Sequence, residues 1–316
     1  MNIKLKYMLY MALFRPLSWL PLGVLYCISS IMRIVLQHLM HYRRKVVRRN
    51  LEECYPEKST EELRRIETEF YRQLTDNMVE TIKLLHISDR QMRRRNVTLG
   101  TEHVTEAARQ NRPIILFLGH YCNWEWVPSV TLYYDEPRVS GQLYKPLHDK
   151  AFDRVMLRVR SRFHSLNIDI ANAFRRLLTM RRDDGTFMVG FIADHRTSWR
   201  ETRHHAMFMR HLTWFYPGGE EIGRRIDAVY LYLDVEKLSR GHYRYTFRPI
   251  VPDPGVTDYP VTRKYLEMMQ ATIDRAPAYW LWSHRRWPKS EAQAARSNEN
   301  KENNDISTPT SQTKQS

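Results

Sequence analysis

Apolar positions along this chain fall into three kinds of pattern. Near the N-terminus, residues 16–32 (PLSWLPLGVLYCISSIM) carry no charge between Arg15 and Arg33. The run is at the short end for a bilayer-crossing helix, and Pro16, Pro21 and Gly23 are expected to bend it. From residue 59 a capping-box pattern, Ser59-Thr60-Glu61-Glu62, opens a helical stripe at Leu63, Ile66, Phe70, Leu74, Met78, Ile82 and Leu85. Beyond it, apolar runs at 113–118 (PIILFL), 138–144, 187–193 (FMVGFIA), 228–234 and 243–247 read as strands. The stretches 151–163, 171–182, 219–225 and 259–275 read as helices. This alternation predicts an α/β fold, a single domain over 43–289 with a mixed central sheet flanked by helices. An N-terminal membrane helix, an anchor over 1–42, precedes it. The tail from 290 to 316 is polar and almost free of apolar residues, so it is expected to be disordered and dispensable for chemistry.

Charge narrows the partners. With 50 Lys and Arg against 35 Asp and Glu the formal net charge is +15. Such a surface suits nucleic acid, phospholipid headgroups, phosphorylated glycolipids or an acidic carrier protein. A mean hydropathy of −0.58 excludes a polytopic membrane protein. Behind the apolar run lies HYRRKVVRR, and Arg43, Arg44, Lys45, Arg48 and Arg49 are expected on the cytoplasmic side, holding anionic headgroups. Arg15 interrupts the run and no small-x-small site follows, which argues for a retained anchor over a cleaved signal peptide. Cys27, Cys54 and Cys122 form neither a disulfide framework nor a Cys-x-x-Cys site, as expected for a reducing, cytosol-facing location.

Candidate chemistry centres on histidines followed five places on by an acid: His120 with Glu125, His148 with Asp153, and His164 with Asp169. On a continuous helix that spacing points the two side chains about 140° apart. His120 is distinguished by context, because PIILFLG is a buried-type strand and Gly119 allows a turn at its carboxyl end, where open α/β sheets place ligands. There a neutral imidazole backed by a carboxylate can take a proton from an alcohol. The bland alternative is a structural histidine at a strand end. Cys122 could be read as a nucleophile, yet as a buried small residue it fits better. His204, His205 and His211 lack the further ligands of a metal site and read as a solvated loop. The interleaved Trp280, Trp282, His284, Arg285, Arg286 and Trp287 suit a nucleic-acid stacking surface or a membrane interface equally. Walker A, G-x-G-x-x-G and G-x-S-x-G patterns are absent.

These residues also carry a family resemblance. GHYCNWEW resembles the H-x4-D/E motif of the bacterial lipid A biosynthesis acyltransferases, the lauroyl and myristoyl transferase family. YRRKVVRRNLEECYP, QLYKP with Arg160–Arg162, FIADHR and PAYWLWSHRRWP resemble further segments of the family, in the right order from about residue 10 to 289. Lys145 and His195 depart from the usual Arg and Gln. The resemblance implies a glycerolipid-acyltransferase-like fold and acyl transfer to a hydroxyl of a lipid A precursor. The donor would be the thioester of acyl carrier protein, without any metal or other cofactor, at the inner membrane with the catalytic domain facing the cytoplasm. It implies His120 as general base with Glu125 as its partner, Arg160 on the oxyanion or the donor, and Asp194 as organiser. Asn123, Trp124, Tyr144, Lys145, Arg162, Asp194, His284, Arg285 and Arg286 are expected to bind substrate. The partners implied are acyl carrier protein, the lipid A precursor and an anionic membrane surface, with no nucleic acid. Two rival classes are a lipid hydrolase or thioesterase using the same base, and a non-enzymatic basic membrane- or nucleic-acid-binding protein.

Overall fold

All five apolar runs expected as strands pair into one sheet. The computed structural model describes residues 2–194, 197, 202 and 204–287. His195 and the polar tail therefore lie outside the described residues. In chain order the strands are β1 (Asn96–Leu99), β2 (Ile114–Leu118), β3 (Ser140–Tyr144), β4 (Leu166–Asp169), β5 (Met188–Ile192), β6 (His205–Phe208), β7 (His211–Trp214), β8 (Val229–Ser239) and β9 (His242–Pro249). The helices are α1 (Ile3–Trp19), α2 (Leu22–Ile34), α3 (Arg44–Cys54), α4 (Thr60–Lys83), α5 (Asp89–Arg93), α6 (Thr101–Arg109), α7 (Lys150–Arg160), α8 (Ala173–Asp183), α9 (Gly218–Arg225) and α10 (Pro260–Arg275).

The seven-stranded sheet runs β1-β9-β8-β2-β5-β3-β4, and β6 and β7 form a separate hairpin. The β8–β9 pair is antiparallel and the other pairs in the large sheet are parallel. The sheet is thus mixed, with helices on both faces. Strand β2 is buried along its whole length, as an apolar run in a parallel sheet should be. Alternation divides its side chains between the faces. Phe117 stacks on Tyr265 of α10 at 5.1 Å. Leu116 and Leu118 line a groove on the other side, closed by a 3-10 helix at Trp124–Tyr133.

The N-terminal run forms two helices, bent apart at Pro21 as expected, while Pro16 lies inside the first. The break is at Leu20-Pro21, and α2 ends in a wider π turn over Val35–Leu39. Helix α1 lies on α7, with Tyr10 and Phe14 against Phe152 at 5.6 and 6.3 Å, and with Lys6 and Tyr10 on Asp149 at 2.8 and 3.0 Å. Helix α2 lies along α4. Leu22 and Leu25 are buried, and Ser29 Oγ donates to Asp76 Oδ1 at 2.6 Å.

Helix α4 corrects the expected stripe. Its capping box is present at Ser59 and Glu62. Met78 is nevertheless exposed, while Gln73, Asp76, Asn77 and Glu80 are buried. The helix is sandwiched between α2 and the turn after β2, so its innermost face meets polar groups from both sides.

Part of the basic cluster at 43–49 is likewise engaged by the protein's own acceptors. Arg44 and Arg48 share Glu67 at 2.8 and 2.9 Å, while Arg43 and Arg49 donate to the carbonyls of Ser283 and Trp287 at 3.0 Å each. Asn50 joins them through the carbonyls of Trp282 and His284. The first basic helix therefore clasps the 276–287 segment, while Arg43 and Lys45 remain exposed. Trp280, Trp282 and Trp287 are correspondingly interior side chains, 1%, 0% and 7% exposed, and not a membrane interface.

Candidate active site

The site starts from strand register. Leu118 of β2 pairs with Ile192 of β5. Two residues beyond each strand end the chain brings His120 beside Asp194. His120 Nδ1 and Asp194 Oδ1 are 2.7 Å apart, and the His120 backbone N–H donates to Asp194 Oδ2 at 3.1 Å. The carboxylate behind His120 is therefore Asp194, which corrects the expected pairing with Glu125. Gly119 permits a close approach: a Cβ there would force the end of the Met269 side chain to shift and would sit 3.4 Å from Asp194 Cγ.

Asp194 is enclosed, its side chain 0% exposed. Trp280 Nε1 donates to its Oδ2 at 2.8 Å, and the Arg286 guanidinium lies 3.6 Å from the same oxygen. Arg286 also donates to the Asp194 carbonyl and stacks over the Trp280 ring, 4.1 Å from its centroid. Burial pulls the Arg286 pKa down, and Asp194 is the largest influence opposing it. Arg286 thus braces the carboxylate from within the protein. Burial, reinforced by Arg286, pushes His284 down to about 4, which favours the neutral ring.

Glu125 takes a different partner. It sits in the first turn of the 3-10 helix, and Arg160 at the end of α7 grips it through Nε and Nη2 at 2.9 and 2.6 Å. Glu125 and Arg160 are 11% and 22% exposed at the side chain, so this two-pronged contact is largely shielded and should hold both groups in fixed orientation. Trp124 connects the pairs: its ring meets His120 edge-on at 5.2 Å and forms part of the groove wall. The groove is otherwise lined by Leu116, Leu118, Val127, Met188, Gly190 and Ile192, among others.

Other expected substrate contacts have different duties. Asn123 is fully buried; its Oδ1 caps the 3-10 helix through the Trp126 N–H, and its Nδ2 donates to Glu80. Arg162 donates to the Ile87 carbonyl and to Asp89 at 2.9 and 2.8 Å. Tyr144 ends β3 half-buried, while Lys145 and Arg285 are exposed. Among the rival histidines, Asp153 accepts the Leu147 N–H at 2.8 Å, and His164 is exposed. His205 and His211 belong to the β6–β7 hairpin, where His211 stacks on Trp287 at 4.2 Å, instead of forming a solvated loop.

Sequence reading passed over Glu80 and Asn77. Glu80 is fully buried, and burial pushes its carboxyl up to about 7 against the hydrogen bonds from Asn123, Tyr26 and Tyr243. Asn77 Nδ2 donates to the Cys122 carbonyl at 2.6 Å. Cys122 itself has φ +50°, a conformation that costs of order 1–3 kcal/mol outside glycine and so needs external support. Its thiol is buried, and that burial drives its pKa far above the range of a working thiolate. Cys122→Ala should therefore keep most turnover; isolation of an acyl-enzyme on this thiol would contradict that.

Comparison with known proteins identifies the family. The model of the bacterial lipid A biosynthesis acyltransferase family matches residues 2–289. The chain belongs to this family. Over 284 residues it is 23% identical to the lipid A biosynthesis lauroyltransferase of Escherichia coli strain K12, covering 86% of this chain and 91% of that protein. It is also 23% identical over 283 residues to the palmitoleoyltransferase of the same strain and to a lipid A biosynthesis acyltransferase of Shigella flexneri, covering 86% of this chain and 90% of each. Within the matched span, His120 and Glu125 lie immediately beyond β2, where the His120–Asp194 and Glu125–Arg160 contacts come together.

Proposed function

We propose that the protein transfers a fatty acyl chain from the thioester of acyl carrier protein to a hydroxyl of a lipid A precursor, with His120 as general base. The observation that carries this reading is the 2.7 Å contact between His120 Nδ1 and the enclosed Asp194. An imidazole that gives its Nδ1 proton to a carboxylate carries its lone pair on Nε2, and the carboxylate stabilises the imidazolium that forms. The acceptor hydroxyl loses its proton to Nε2 as its oxygen attacks the thioester carbonyl. The tetrahedral intermediate collapses by breaking the C–S bond, and the imidazolium returns the proton to the departing thiolate. Glu125 takes two of the N–H donors of Arg160, and the guanidinium has others to offer the developing oxyanion. No metal or redox step is required by this chemistry. The finer fold assignment, to the glycerolipid-acyltransferase type, belongs to the same reading.

The fatty chain would occupy the groove beside Trp124. A Cβ at Gly190 would rest 3.5 Å from Leu118 Cδ2, so a larger side chain fits the strand and projects into the groove. Gly190→Val should shift preference toward shorter chains. At about 0.8 kcal/mol per buried methylene, discrimination between donors two carbons apart should change by about tenfold. Mass spectrometry of product from mixed donors reads this directly, and an unchanged profile would move the chain elsewhere.

The membrane reading is an in-plane one. Leu5, Met8, Leu9 and Leu13 of α1 and Val24, Ile31 and Ile34 of α2 are exposed. Residues Leu22–Leu39 are long and apolar enough to cross a membrane. However, α2 is fastened antiparallel along α4, with Gln37 at Thr68 and Tyr26 at Glu80, and a crossing orientation would take charged Glu69 and Arg72 into hydrocarbon. Lying flat, the two helices bury their apolar faces among headgroups. Leu9→Glu with Ile31→Glu should weaken flotation with anionic vesicles by at least about tenfold while leaving the melting temperature unchanged. Undiminished flotation would contradict this placement.

The defining assay supplies labelled acyl carrier protein thioester with and without a lipid A precursor. Acceptor-dependent acylation is the expected result. Free fatty acid released equally in both would identify a thioesterase.

A further inference from the structure

Glu80 is a fully buried carboxylate that no step of the proposed reaction uses. Three groups from different parts of the chain donate to it: Tyr26 Oη of α2 at 2.8 Å, Asn123 Nδ2 at 2.6 Å and Tyr243 Oη of β9 at 2.9 Å. Its own carbonyl accepts Trp126 Nε1 at 3.0 Å. One turn earlier on the same helix, Asn77 holds the Cys122 carbonyl. A single turn of α4 thus fastens residues 122 and 123, between His120 and Glu125, and residue 126 just beyond them.

The opposite end of this network is the apolar N-terminal segment. Tyr26 lies on α2 next to the Ser29–Asp76 contact, and Arg240 secures both by donating to Asp76 at 2.6 Å and to the Tyr26 carbonyl at 3.1 Å. The approach is sculpted, because a Cβ at Gly241 would collide with the Tyr26 hydroxyl, and that glycine has φ +70°. Lys83, on the next turn of α4, donates to the carbonyls of Ser18 and Leu20 and so holds the α1–α2 junction to the same helix. A buried carboxylate is retained only if its acceptors are filled, and a filled network fixes its members in one arrangement.

We propose that Glu80 is a positioning residue that links the seating of α2 to the geometry of the His120–Glu125 turn, through Tyr26 on one side and Asn123 on the other. This rests on the reading of that turn as the reacting centre. It follows that α2 is more than an attachment device, since its inward face completes the acceptor shell that holds the catalytic turn.

The test uses the full chain in detergent micelles and two independent readouts, steady-state acyl transfer and amide hydrogen exchange followed by mass spectrometry. Glu80→Ala leaves three donors without their acceptor. It should lower kcat at least about tenfold with KM within about twofold. Exchange across 121–127 should speed up about tenfold or more, while 114–118 and 229–235 keep their protection. Glu80→Gln should recover most of both, because the amide oxygen can serve Asn123 and Tyr243 while its nitrogen faces the Tyr26 hydroxyl. Tyr26→Phe, a milder change, should reproduce the same pattern at roughly several-fold size. If Glu80→Ala does not fold, Tyr26→Phe carries the decision. Unchanged kcat and unchanged protection of 121–127 in folded Tyr26→Phe would overturn the proposal. A uniform rise in exchange over the whole domain would also overturn it, since that is the signature of general destabilisation. Should the wild-type protein fail to transfer acyl chains, the functional reading falls and the exchange data alone judge the link.

Discussion

His120→Ala should reduce acyl transfer by roughly 10²–10⁴-fold, the usual worth of a general base. The side chain is 13% exposed, and its removal leaves Asp194 with the His120 backbone N–H, Trp280 and Arg286 as partners, so the fold should survive. KM for the thioester should change little, because the loss concerns proton transfer and not binding. Glu125→Gln should cost less than His120→Ala, since the amide keeps one contact to Arg160 but gives up the charge. His148→Ala and His164→Ala, both at exposed positions, serve as controls and should stay close to wild type. Near wild-type turnover in a folded, membrane-bound His120→Ala protein would end the general-base reading.

The second large effect concerns stability as well as rate. Asp194→Asn preserves shape but removes the only charge placed against Arg286 within 4 Å among the described residues, and the Arg286 side chain is 3% exposed. Leaving a buried cation without its partner costs about 3–5 kcal/mol. Chemical denaturation should register a loss of that order, together with a fall in turnover comparable to His120→Ala. The double variant Asp194→Asn with Arg286→Met removes the stranded charge. It should regain much of the stability and none of the activity. If Asp194→Asn alone unfolds at the wild-type denaturant midpoint, the buried pair is not what holds this region together.

Much of the architecture was legible because it was written in local pattern. The runs at 113–118 and 187–193 are apolar enough to be interior strands whatever their neighbours, and both are. Strand β1 (NVTL) is not legible in the sequence, since four residues with mixed polarity become a strand only through the partner they meet at the end of the sheet. The site shows the same division. His120 could be singled out from the strand before it, whereas Asp194 came only through the family resemblance and without its place behind the imidazole. Glu125 is near in sequence, whereas Asp194 is near only once β2 and β5 lie parallel with Leu118 opposite Ile192. A single chain does not announce its strand register. Arginines interleaved with tryptophans looked like surface for a related reason: alternation of charge and ring says nothing about a carboxylate and carbonyls waiting inside. Glu80 escaped notice because the apolar stripe of α4 marks one face only, whereas the helix is buried on a polar face too.

The distance along the chain between the parts of this site has a bearing on how the protein is made. Helix α2 leaves the ribosome early, the His120 turn roughly a hundred residues later, and the Trp280–Arg286 segment last among the described residues. Until that final segment has emerged, Asp194 lacks its indole and guanidinium braces, and the α3 arginines lack the carbonyls they clasp. The surroundings of His120 are thus completed only when the Trp280–Arg286 segment is in place, after every strand and helix that precedes it has been made.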